Sequence, residues 1–177
     1  MKEIIYNKDN LKVDEITKSV KRAKIIIENF KNELMIVQTT NSYYLVGGHV
    51  ENNESDVDCL YREIKEEMGI DFYPIIDTPF MVIRYLCKDY PNQENTEFIS
   101  NYYFIKADLE VDVSNLSLTN AEKANAMKIV NVKKDDIVNI LEQFLETCDK
   151  NIVVRDTLDV IKEYLKYWFH FDFTNIL

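Results

Sequence analysis

Between Ser55 and Gly69, apolar side chains recur at Val57, Leu60, Tyr61, Ile64 and Met68, which is helical spacing. At about 100° per residue these five fill an arc of roughly 100°, so the pattern predicts a helix with one buried face. Ser55 followed three residues later by Asp58 reads as a loose capping box. Gly69 is placed to end the helix in a left-handed conformation. On either side the pattern changes. Arg22 to Asn29 and Leu34 to Thr39 are rich in β-branched and long apolar residues and predict strands. Asn29-Phe30-Lys31-Asn32 predicts the hairpin turn between them, and Asn41-Ser42 a second turn. Tyr43 to Val46, Met81 to Leu86, Phe98 to Ala107 and Lys128 to Val132 read as further strands. Residues 1–17, with apolar islands at Ile4-Ile5-Tyr6, Leu11 and Val13, predict an N-terminal extension forming a short edge strand or hairpin.

Asp89 to Asn95 reads as a polar connection. Asp108 to Asn125 lacks periodicity over much of its length and is expected to be a long loop, of the kind that tends to be functional or mobile. Helical spacing returns over Asp135 to Glu146 and again over 152–169, where Val153, Leu158, Ile161, Leu165 and Trp168 recur. The tail from Phe171 to Leu177 is apolar enough to dock rather than extend into water. Strands around a central helix, followed by two closing helices, predict one α/β (α+β) layered domain over residues 1–177.

Chemistry enters on a second face of the central helix. Glu63, Glu66 and Glu67 lie at i, i+3 and i+4, on an arc centred roughly 110° from the apolar stripe. Three such carboxylates repel by a few tenths of a kcal/mol per pair on an exposed helix. A divalent cation converts that repulsion into coordination. Hard oxygens without a neighbouring Cys or His pair suit Mg2+, Mn2+ or Ca2+ rather than zinc. An acidic solvated face is the competing explanation of the spacing alone.

The longer pattern separates the two. Gly48, five residues, Glu54, seven residues, then Arg62-Glu63-Ile64-Lys65-Glu66-Glu67-Met68-Gly69-Ile70 fill nine specified positions across residues 48–70. This resembles the signature of the Nudix hydrolase family. Gly47 and Glu51 also fit its usual opening, whereas Val46 stands where a proline is common and Asn53 where a glycine is common. The resemblance implies an α/β/α sandwich with a mixed sheet and a loop-helix-loop catalytic motif. It implies MutT-like hydrolysis of the pyrophosphate linkage in a small nucleoside diphosphate derivative: a nucleoside triphosphate, a dinucleoside polyphosphate or a nucleotide sugar. Magnesium, or manganese, would be held by Glu63, Glu66 and Glu67 with the carbonyl of Gly47. Arg62 and Glu54 would pair to fix the loop against the helix. Glu122 is the candidate for a further ligand from a late loop, ahead of Glu94 and Glu97. His49, beside the two glycines, could touch a phosphate or act as base, and Tyr43, Tyr44 and Tyr85 could stack on a nucleobase.

Charge and cysteine content narrow the partners. With 21 Lys and Arg against 31 Asp and Glu, the formal charge is -10. That argues against a long nucleic acid or an anionic membrane surface as natural partner. A small phosphorylated substrate remains compatible, its charge met by bound metal. Cys59, Cys87 and Cys148 are far apart and form no CxxC pair, so neither a disulfide framework nor zinc is indicated. Neither a secretory signal nor a stretch of about 20 apolar residues is present, from which a cytoplasmic protein is expected. A homodimer is compatible with the family's habit and the apolar tail. Two other functions share the fold: a nucleotide sensor that does not cleave, and an isoprenoid-type isomerase. The first usually carries a degraded motif, and the second needs more Cys and His than this chain offers.

Overall fold

The computed structural model describes residues 1–170. Seven strands form one mixed sheet: β1 (Lys2–Tyr6), β2 (Lys18–Glu28), β3 (Glu33–Gln38), β4 (Tyr43–Tyr44), β5 (Met81–Cys87), β6 (Thr96–Lys106) and β7 (Lys128–Lys133). The order across the sheet is β1-β5-β6-β2-β3-β4, with β7 on the other edge of β3. The pairs β1–β5 and β2–β6 are parallel; β5–β6, β2–β3, β3–β4 and β3–β7 are antiparallel. Among the described residues four α-helices accompany them: α1 (Asp56–Met68), α2 (Asn120–Ala124), α3 (Lys134–Thr147) and α4 (Ile152–His170).

The alternation along β2 explains the layering. Ala23, Ile25 and Ile27 pack with Leu60, Ile64 and Met68 of α1. Ile26, one position out of phase, packs on the opposite face with Leu141 of α3 and with Leu158, Ile161 and Tyr164 of α4. Period two on a strand sends neighbours to opposite faces, so one strand serves two cores. The result is the expected sandwich, helix on one side and two helices on the other.

Helix α1 begins as the capping pattern predicts. The Ser55 hydroxyl accepts from the Asp58 amide at 3.2 Å, and Gly69 takes the left-handed conformation at φ 72°. The buried stripe is shifted slightly from the expected one, for Cys59 and Glu67 are buried while Val57 and Tyr61 are only partly so.

Several expectations change. The N-terminal segment is a single edge strand, parallel to β5, and no hairpin forms. The strand expected over Tyr43 to Val46 stops at Tyr44, since the chain then crosses toward β2. The span from Asp108 to Asn125 is not wholly loop: Thr119 caps α2, accepting from the Glu122 amide at 3.3 Å. The period read over α4 included Val153, yet Val153 is exposed and Val154, Val160 and Tyr164 are buried in its place. The apolar tail lies outside the described residues.

The feature that positions the site is a fork in the sheet. β2 and β3 pair only at Ile27–Met35 and Glu28–Leu34. Beyond that they part, and the segment after β4 fills the gap through bridges Ile25–Val46 and Arg22–His49. The Ala23 amide donates to the Gly48 carbonyl at 3.0 Å, and the Ile25 amide to Val46 at 2.9 Å. Gly47 and Gly48 are therefore held against β2 by strand-like bonds.

Candidate active site

Gly47 has φ 121°, a conformation that side chains disfavour. Its amide donates to Glu67 Oε2 at 3.1 Å. Glu67 is 5% exposed. Burial pushes its carboxyl far above the usual range, against the pull of the Lys24 ammonium. Burial lowers Lys24 in turn. Lys24 Nζ donates to the carbonyls of Gly47 at 2.7 Å and Leu45 at 3.2 Å, and it lies 5.1 Å from the centre of the Tyr44 ring. A buried acid and a half-buried base thus engage the amide and the carbonyl of one glycine.

Arg62 organises the rest. Its Nε and Nη2 hold Glu54 at 2.9 and 3.2 Å, the two-pronged pairing expected of a guanidinium. Nη1 reaches Glu63 at 2.8 Å and Glu66 at 3.3 Å, and Nη2 also donates to the His49 carbonyl at 2.9 Å. Burial raises the Glu63 carboxyl, with Arg62 opposing. The Cys59 thiol, buried beneath the carbonyls of Gly48 and His49, is pushed up to about 12 by burial and the acids nearby. It is a packing group and no nucleophile.

Gly47, Gly48, Arg62, Glu63, Glu66 and Glu67 line a cavity of about 570 Å3 together with Arg22, Lys24, Tyr44, His49, Glu122, Tyr102 and Asp156. His49 Nε2 accepts from Arg22 Nε at 3.2 Å. Burial and the charges of Arg22 and Lys24 lower its pKa, so the ring is neutral near pH 7. Glu122 reaches the cavity from α2, with one oxygen engaged by the Thr119 amide at 2.6 Å.

Two tyrosines expected at the substrate do not line this cavity. Tyr43 packs edge-on against Phe144, ring centres 5.2 Å apart, and takes a hydrogen bond from Gln38. Tyr85 stacks on Tyr6 and donates to Asp156. Strand alternation turns Tyr44 toward the cavity when Tyr43 faces the core. Glu94 and Glu97 are paired with Lys18 and Arg84 and lie outside the cavity lining. Sequence reasoning passed over Arg22, Lys24 and Asp156. The first two could have been found: cations at i, i+2 leading into the apolar run Ile25-Ile26-Ile27 share one strand face and call for something polar there.

A family model described as the NUDIX domain matches residues 18–148. The chain belongs to the Nudix family. Over 59 residues, a third of the chain, it is 37% identical to the mRNA-decapping enzyme subunit 2 of Saccharomyces cerevisiae strain YJM789, and that stretch is 6% of the yeast protein. Among solved structures, a Nudix hydrolase from Nitrosomonas europaea is 18% identical with TM-score 0.49, covering 67% of this chain and 75% of that one. A MutT protein from Methanosarcina mazei Go1 is 18% identical with TM-score 0.46, covering 84% and 96%.

The Nudix family implies a divalent cation. The donor chemistry fits one: hard oxygens from Glu63, Glu66, Glu67 and the Gly47 carbonyl, the last of them held by Lys24 in this structure. Among the described residues no three acidic, histidine or cysteine side chains converge closely enough to hold an ion. Arg62 and Lys24 supply the positive charge between them.

Proposed function

We propose that the protein hydrolyses the pyrophosphate linkage of a small nucleotide with the help of Mg2+ or Mn2+. The observation that carries this reading is Glu67: a carboxyl almost wholly buried, fixed by the Gly47 amide, in a cavity where Glu63, Glu66 and Glu122 meet Lys24, Arg62 and the Tyr44 ring. Such perturbed acids are characteristic of sites that move protons or bind cations. Glu63, Glu66 and Glu67 would hold the ion with the Gly47 carbonyl. It would act as Lewis acid toward phosphate and make water nucleophilic.

The chain's own residues do the rest. Glu67 holds a proton at its Oε atoms when no cation is near, and accepts one from water when it is ionised. Arg62 keeps Glu54 and Glu63 in register, so the loop 47–54 cannot drift from α1. Lys24, on β2 beside the Gly47 carbonyl, draws the phosphate chain into the cavity. Tyr44 gives an apolar side wall.

Hydrolysis of a panel comprising nucleoside triphosphates, dinucleoside polyphosphates, nucleotide sugars and ADP-ribose, with Mg2+ or Mn2+, tests this. Release of phosphate or nucleoside monophosphate is expected. Tight nucleotide binding with no turnover across the panel would instead make the protein a sensor. Metal binding offers an independent check. Because the free Glu67 carboxyl retains its proton well above the usual range, Mn2+ binding at pH 7 should release protons and tighten as pH rises. Calorimetry in buffers of different ionisation enthalpy reads this directly, and binding without proton release would remove Glu67 from the ligand set. No helix among the described residues is long and apolar enough to cross a membrane.

A further inference from the structure

The cavity has a second end, which hydrolysis does not explain. Arg22, Ser100, Tyr102, Val153, Asp156 and Thr157 surround it. Asp156 lies near the start of α4, where the Asn151 side chain accepts from the Val154 amide at 3.1 Å. Its Oδ1 accepts from the Tyr85 hydroxyl. Tyr85 is itself immobilised by stacking on Tyr6, ring centres 4.7 Å apart and planes 14° from parallel. The carboxylate is thus held from behind by a rigid donor. Among the described residues its Oδ2 makes no hydrogen bond, and that atom is not sealed from solvent.

An acceptor aimed into a cavity calls for a donor on the ligand. It repels phosphate, so the phosphate chain belongs at the end with Lys24 and the α1 carboxylates. The non-phosphate end of a nucleotide then points at Asp156. The surroundings suit a flat ring: Tyr102 and Val153 are apolar walls, and one acceptor gives orientation. Cytosine and adenine present exocyclic amino donors, and guanine presents an amino donor beside a ring N–H. Uracil has its one free ring N–H between two carbonyl oxygens, so a carboxylate placed for an exocyclic amino group meets a carbonyl oxygen there instead.

Building on the hydrolase reading, we propose that Asp156 accepts a hydrogen bond from the amino group of the substrate's base, selecting amino-bearing nucleotides over uracil nucleotides. Burial pushes the Asp156 carboxyl up to about 6, the Tyr85 bond opposing, so it remains largely an acceptor at pH 7. A ribose hydroxyl has the same donor chemistry, and the test below separates the two sources.

CTP and UTP differ at C4, amino against carbonyl, and at N3, bare acceptor against N–H donor, so a contact to the amino group favours CTP and a contact to N3 favours UTP. Wild-type kcat/KM should favour CTP by tenfold or more, the value of one good base contact. In Asp156→Asn the CTP-to-UTP ratio should fall toward one, chiefly through KM. The ratio is taken on one preparation and so does not depend on how much of the variant folds. A wild-type ratio near one, or a ratio unchanged in Asp156→Asn, overturns the assignment. A loss equal for both bases and absent with the 2′-deoxy substrates also overturns it, placing the sugar at Asp156. If the wild type cleaves neither nucleotide, the hydrolase reading is decided by the panel above. Dissociation constants for CTP and UTP, measured by calorimetry on both proteins, then decide the base assignment separately.

Discussion

Replacing Glu67 by glutamine is expected to lower kcat about 10²–10⁴-fold, the range for loss of a positioned general base, without harming the fold. Glutamine has the same shape and can still accept from the Gly47 amide. What it lacks is charge. The wild-type carboxyl is raised in the folded state because burial disfavours its ionised form. The folded protein therefore binds a proton that the unfolded chain releases, and stability falls as pH rises from the unfolded carboxylate pKa toward the folded one. Glutamine removes that penalty. In metal-free buffer near pH 8 the variant should melt no lower than wild type, and the gap in its favour should close below pH 4. Thermal melts at the two pH values, with kcat alongside, check both halves. Near-normal turnover would take Glu67 out of the chemistry.

The second large effect concerns two neighbouring glycines with opposite consequences. A Cβ at Gly47 would stand 2.2 Å from the Ala23 carbonyl oxygen, a backbone atom, and φ 121° is strained for any side chain. Gly47→Ala should cost about 3 kcal/mol from backbone strain and overpacking together, roughly 6–12 °C in Tm for a chain of this size. A Cβ at Gly48 would stand 2.0 Å from Glu63 Oε1, the end of a flexible side chain. Gly48→Ala should leave Tm nearly unchanged but turn Glu63 away from the cavity and reduce activity. Equal melting temperatures for the two variants would show that the backbone at Gly47 yields more readily than the geometry allows.

Much of this was legible in the chain. The helix over Asp56–Met68, its Ser55 cap and its Gly69 end follow from spacing and turn chemistry, both local. So does the pairing of Arg62 with Glu54, because the resemblance fixes both positions. What local pattern could not give was the fork between β2 and β3, which depends on how many residues pair before two strands diverge. Without the fork, Lys24 reads as one more charge on a strand. Tyr43 and Tyr44 were equivalent candidates until the register of β4 against β3 assigned one to each face. Asp156 was hidden for a different reason. An acid beside an apolar helical stripe is ordinary, and only the distant phenol of Tyr85 marks it.

The fork also divides labour along the polypeptide. The groups assigned to bond cleavage come from residues 47–67, while the wall at Asp156 comes from a helix nearly a hundred positions later. Resurfacing that helix would alter which molecules are admitted and leave untouched how they are cut, so a lineage could trade one diet for another without rebuilding its scissors.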